Sequence, residues 1–186
     1  MKRWLAIIML SFFLSGCSGE NAILEQVIAC RQKLSGGNGC CFEGYITADY
    51  GDRLYSFVLS CQTDSSGAVA FSVIDPESIS GISGVMDEEK GALTFDEHVL
   101  AFSMLADGYI SPVSAPWLMI RSLRSGYIRG CGMEEDYIRV VIDDTYEGEP
   151  IQLDVWLDES QHPTQVDYLW HGRRIISMQV KNFQYL

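Results

Sequence analysis

From about residue 40 onward the sequence repeats with a period of two, and this limits the chain to a mainly β fold. In "RLYSFVLSC", Tyr55, Phe57, Leu59 and Cys61 alternate with Ser56, Val58 and Ser60, and in "GAVAFSVID" Val69, Phe71 and Val73 share a face. Alternation of this kind is the signature of a strand with one face buried. The stretches "GALTFD", "HVLAFSML", "DYIRVVID", "IQLDVWLD", "TQVDYLWH" and "RRIISMQVKNF" continue it. Turn-forming clusters such as "TADYGDR", "DDTYEGEP" and "WHGRR" separate many of them. Connections this short favour antiparallel hairpins over crossovers. The expectation is an antiparallel sheet of roughly eight to eleven strands. A hairpin turning near Tyr50 and Gly51 would set Cys61 opposite Cys40 or Cys41. A cross-strand disulfide, Cys41 to Cys61, is therefore expected as an option.

Two segments have helical spacing instead. In "NAILEQVIACRQKLSGG", Ile23, Leu24, Val27, Ile28 and Leu34 form an apolar stripe, with Gln26, Arg31 and Gln32 on the other side and glycines at the end. The second helix, "SPVSAPWLMIRSLRSGYI", interrupts the strands. Ser111 or Ser114 can cap it, Pro112 or Pro116 suits its first turn, and Gly126 stands at a C-cap position. Arg121 and Arg124 lie in its last turns, where the helix dipole favours positive charge.

The N-terminus reads "MKRWLAIIMLSFFLSGCSGE". Basic Lys2 and Arg3 precede eleven apolar or small residues, Trp4 to Leu14, then Ser15, Gly16 and Cys17. A bilayer span needs about 20 apolar residues, so this run has the length and layout of a secretory signal instead. "LSGC" resembles the lipobox of bacterial lipoproteins, in which the cysteine thiol accepts a diacylglyceryl group and becomes the new N-terminus. The other reading is an ordinary signal peptide that carries a cysteine by coincidence. The expected division is a signal over 1–16, a lipidated tether over 17–21 and one domain over 22–186. The expected location is extracytoplasmic, held to the bacterial membrane by acylated (palmitate-type) Cys17.

Without residues 1–16 the chain has 11 basic and 25 acidic side chains, a net charge of −14, against −12 for the whole sequence. A nucleic-acid binder needs a basic face to displace counterions, so no nucleic-acid partner is expected. Besides Cys17 there are five cysteines, Cys30, Cys40, Cys41, Cys61 and Cys131, and none forms a C-x-x-C. His98, His162 and His171 are far apart and match no H-E-x-x-H, and "SGISG" lacks nucleophile-elbow spacing. Accordingly no catalytic residue, metal or cofactor is assigned. The remaining candidates are the apolar run Trp117, Leu118, Met119 and Ile120, with Arg121 and Arg124 beside it. These would form the mouth of a groove for an apolar ligand or a partner, or else pack on the sheet.

An N-terminal helix, a long antiparallel meander, a helix inserted midway and the ending "LDVWLDESQHPTQVDYLWHGRRIISMQVKNF" together resemble the LolA/LolB-like lipoprotein carrier superfamily. The matching features are Trp156, Leu157, Asp158 and Pro163 at a strand end and turn, and Asn182 and Phe183 at the close. The segment "LTFDEHVLAF…SPVSAPWLMIRSLRSGYI" is similar to the Gram-positive, lipid-anchored branch related to the germination lipoprotein GerS. The resemblance implies an incomplete antiparallel β-barrel (α+β, mainly β) with both helices against its concave side, and no catalysis. It implies an acyl lipid or lipoprotein ligand or, for a GerS-like adaptor, a cell-wall amidase partner in spore-cortex modification. An envelope hydrolase is the remaining alternative.

Overall fold

A computed structural model of the chain describes residues 18–87, 91–95, 98–102, 105–106, 109–146 and 148–186. The expected signal and Cys17 lie outside the described residues. Helix α1 (Ser18–Gly36) starts within the stretch expected as tether. Its buried stripe is Val27, Cys30 and Leu34, whereas Leu24 and Ile28 are 42% and 39% exposed. The period holds, but the helix is rotated so that its core face is narrower than the apolar positions would allow.

Strands follow in chain order: β1 (Cys40–Asp49), β2 (Leu54–Thr63), β3 (Val69–Asp75), β4 (Ser83–Met86), β5 (Gly91–Phe95) and β6 (His98–Phe102). A two-stranded ribbon, β7 (Leu105–Ala106) with β8 (Tyr109–Ile110), leads into α2 (Ala115–Ser125). The chain returns through β9 (Tyr127–Glu134), β10 (Tyr137–Tyr146), β11 (Glu149–Leu157), β12 (Pro163–Trp170) and β13 (Arg173–Tyr185). One sheet holds eleven of these strands in the order β6-β5-β4-β3-β2-β1-β13-β12-β11-β10-β9, every pairing antiparallel. The last strand pairs with the first, so two meanders share one sheet. β6 and β9 are its edges, and the sheet is open, as an incomplete barrel requires.

Inward residues such as Ile46, Leu59, Val140, Leu153, Val166 and Ile176 form one apolar cluster with Val27 and Leu34 of α1 and with the apolar residues of α2. On the outer face Asp154 stands directly opposite Asp167, a placement that two like charges would oppose. Arg139 pairs with Asp154. Arg174 lies 3.0 Å from Asp167, which also accepts a bond from the Ser177 hydroxyl at 2.7 Å. Both aspartates are thereby neutralised on a largely polar surface.

The expected disulfide is not formed. Cys41 stands opposite Gln62 and Cys61 opposite Phe42, so the hairpin register differs by one to two positions from the sequence reading. That slip leaves Cys61 buried on the inner face while Cys41 alternates to the other face, and side chains on opposite faces cannot bridge. None of the five described cysteines is in a disulfide. Strand β9 and the four-residue β4 are not legible as strands in the sequence. Gly130 and Gly132 interrupt the alternation of the first, and the second is too short to show a period.

Candidate ligand-binding site

Helix α2 and the inner sheet face beneath it make up the candidate site. Pro116 occupies the first turn, as expected. Ser114 stands at the N-cap position without a side-chain capping bond, because its hydroxyl meets Tyr146 Oη at 3.4 Å instead. Gly126 is the C-cap, with φ −61° and ψ 155°, so it is not needed for a left-handed conformation. It is needed for space: a Cβ there would lie 2.5 Å from Ile142 Cγ2 and 2.7 Å from the Ser122 carbonyl oxygen. The end of α2 thus rests directly on β10.

Trp117, Leu118, Met119 and Ile120 are all essentially inaccessible. In this conformation they fill the inner face instead of lining an open mouth, and a ligand reaches that face only if α2 moves. Besides this apolar burial, the helix is held by polar bonds at its ends. At its start Tyr168 Oη donates to the Ala115 carbonyl at 2.5 Å. Just before it, Tyr50 Oη donates to the Ile110 carbonyl at 2.5 Å. Near its end the Ser122 hydroxyl donates to Asp144 at 2.6 Å. Burial pushes the phenols of Tyr50 and Tyr168 well above the usual tyrosine range, so both are donors at any physiological pH.

Arg31 also reaches the C-terminal end of α2. From α1 its Nε donates to the Leu123 carbonyl at 2.7 Å and its Nη2 to the Gly126 carbonyl at 2.7 Å, with the Ser122 carbonyl at 3.5 Å. Carbonyls in the last turn of a helix have no partner within it, and a guanidinium fork supplies one. Burial holds the Arg31 pKa below its ordinary value.

Arg121 is ion-paired to Asp144 at 3.1 Å, donates to the Thr145 carbonyl at 2.5 Å and lies over the Trp117 ring at 4.7 Å. Arg124 reaches across to the turn between β2 and β3, where it donates to the Ser65 carbonyl at 3.0 Å. Between them is a cleft of about 540 Å³ lined by Trp117, Arg121, Arg124, Gly67, Ser35 and Asp87, among others. The structure therefore brings the two candidate arginines to one cleft and places the apolar candidates beneath it.

Arg31, Tyr50, Tyr146 and Tyr168 were not identified from the sequence. The tyrosines do carry a signal: two of them, on β10 and β12, occupy inward positions among aliphatic residues. A buried phenol needs a partner, which implies irregular or helical backbone lying over that face. Of the histidines, His162 packs on the rings of Phe183 and Tyr185 at 5.3 and 5.4 Å and lies 3.6 Å from Asp158. His171 is in an exposed turn.

No protein-family model and no curated protein sequence matches the chain. In three dimensions it is similar to a DUF1329 family protein from Desulfovibrio piger, with TM-score 0.49 and 9% identity over 89% of this chain and 92% of that one. It is also similar to a LolA superfamily protein from Nitrosomonas europaea, with TM-score 0.45 and 9% identity over 90% and 94%. A third is the Mycobacterium tuberculosis lipoprotein LppX, with TM-score 0.42 and 12% identity over 88% and 94%. At these identities the likeness concerns the fold alone, an open antiparallel sheet with helices on one side.

Proposed function

We propose that the chain is a non-enzymatic lipoprotein, anchored through Cys17 to the outer side of the bacterial cell membrane. It binds an apolar ligand, an acyl lipid or the acyl chains of a lipoprotein, on the inner face that α2 covers. The observation carrying this reading is the way α2 is held. An apolar helix covers an apolar sheet face with polar bonds at both its ends, and an apolar ligand of matching shape would take over the face that the helix now fills. Burial at about 25 cal/mol per Å² would supply affinity for a lipid chain with little demand on its chemistry.

Mass spectrometry of natively extracted protein tests the ligand. Co-purifying acyl lipid is the expected result, and a bare polypeptide under gentle detergent refutes it. Cys17→Ala tests the anchor, since the variant should leave the membrane fraction, and a variant that stays there refutes lipidation. A second reading is an adaptor for an envelope enzyme such as a cell-wall amidase. It draws on the edge strand β9, where Tyr127 is 72% exposed and Met133 58%. An edge strand with exposed apolar side chains is a template for a partner's strand. A stoichiometric hydrolase in a detergent-free pull-down would favour it over lipid binding.

A further inference from the structure

We propose that the cleft between α2 and the β2–β3 turn binds a phosphate group, with Arg124 as its principal contact and Arg121 and Ser35 beside it. Of the arginines on or near α2, Arg31, Arg121 and Arg129 already have partners within the protein. Arg31 caps the helix carbonyls. Arg121 is paired with Asp144. Arg129 lies 3.4 Å from Asp143 and donates to Gln152 at 2.6 Å. Arg124 alone is bonded to neither an acid nor a helix carbonyl. Its one hydrogen bond goes to the Ser65 carbonyl, and no carboxylate lies within ion-pair distance of it among the described residues.

In a chain with 25 acidic and 13 basic side chains, an arginine without an acid is the exception. Helix-dipole compensation, the obvious use for Arg124, is already provided by Arg31. A guanidinium has five N–H donors, and Arg124 uses one of them within the protein. Its position is fixed from below. Gly67, at φ +94°, leaves room for the guanidinium to lie flat on the turn, where a Cβ would overlap Nη1.

The acid of that turn, Asp64, is committed elsewhere. Its carboxylate accepts from the Ser66 hydroxyl at 2.6 Å and from the backbone N–H groups of Ser66, Gly67 and Ala68. These bonds, the Ser66 hydroxyl first, hold its pKa below the usual carboxylate range. Asp87 also lines the cleft and has a partner of its own. Ser35, near the end of α1, also lines the cleft with a neutral polar side chain. At about 540 Å³ the cleft admits a phosphate with substituents attached. A tetrahedral phosphate offers three or more acceptor oxygens to the unused donors of Arg124, whereas a carboxylate offers two.

The inference does not depend on the lipid anchor or on movement of α2. The phosphate could belong to a lipid head group or to a soluble ligand, and two probes separate these sources. The protein is titrated with inorganic phosphate and with dihexanoyl phosphatidylglycerol below its micellar concentration, at constant ionic strength set by sodium chloride. Saturable binding is expected, about tenfold weaker in Arg124→Gln and unchanged in Arg129→Gln, as the loss of a charge-assisted contact implies. Preference of about tenfold for the short-chain lipid identifies a head group, and equal affinity identifies a soluble phosphate ligand. The ¹⁵N-edited signal of Arg124 Nε in the unmodified protein gives a readout that does not rely on the variant folding, and phosphate should shift it. Three results overturn the proposal: no effect beyond that of chloride, acetate binding as tightly as phosphate, or phosphate binding that leaves the Arg124 signal in place.

Discussion

Arg31→Met keeps the length and apolar stem of the side chain and removes only its fork. Two bonds of 2.7 Å to the Leu123 and Gly126 carbonyls are lost, together with the charge opposing the C-terminal dipole of α2. Hydrogen bonds from charged donors contribute about 1.5–3 kcal/mol each, and an unpartnered buried carbonyl costs about 1–3. Arg31 is only partly buried, so water recovers part of this loss, and the net destabilisation should be about 2–4 kcal/mol. With an m-value near 2 kcal/mol/M, the urea midpoint should fall by about 1–2 M. Arg31→Lys supplies a point charge without the fork and should restore less than half of the loss. Hydrogen exchange should accelerate first at Gly126, whose N–H bonds to Ser122. A midpoint shift below about 0.25 M, with exchange in α2 unchanged, would refute the assignment of Arg31 as the element holding this helix.

Gly126→Ala should destabilise by about 1–3 kcal/mol through overlap with Ile142 and the Ser122 carbonyl, whereas Gly130→Ala, with open space around it, should be near neutral; paired urea curves for the two variants check this. Under reducing conditions stability should fall as pH rises above 9. Burial pushes the Cys40 thiol from 9.0 up to about 11, and it raises Cys61 in the same direction. The unfolded chain therefore loses these protons first and is favoured by alkali. Between pH 8 and 10 Cys40 alone should account for a loss of about 1 kcal/mol, and Cys40→Ala should flatten that slope in urea titrations at the two pH values.

Much of the fold is visible in the sequence because it rests on periodicity. The period-two runs mark the strands on either side of α2, and Pro116 and Gly126 bracket that helix within a residue. Register is less visible, since it depends on how many residues the β1–β2 turn consumes. Pairing of Asp49 with Leu54, not one position earlier, separates Cys41 from Cys61. The candidate site divides in the same way. Trp117 to Ile120 are recognisable as an unusual apolar run, but their burial depends on a face built from strands before and after them in the chain. The arginines show the limit most clearly. Local spacing assigns Arg121 and Arg124 to the helix dipole, yet the cap comes from Arg31, 92 residues before the Leu123 carbonyl it binds. Only with that long-range contact known does Arg124 stand out as unpaired.

The same contact links stability to binding. If an apolar ligand enters only when α2 lifts, its apparent dissociation constant is the intrinsic one divided by the fraction of open molecules. Arg31→Met weakens the closed state and removes no residue of the inner face. A 2 kcal/mol loss confined to closure would raise the open fraction by about 30-fold while that fraction remains small. An environment-sensitive apolar probe should therefore bind Arg31→Met about 30-fold more tightly, at denaturant-free conditions where both proteins are folded. Tyr168→Phe, which frees the other end of α2 by removing the bond to Ala115, should act in the same direction. Gly130→Ala, which touches neither end, should not. Equal probe affinity for the unmodified protein and Arg31→Met, despite a lowered urea midpoint, would mean that α2 is a permanent part of the core. The apolar ligand would then have to bind at a surface other than the inner face.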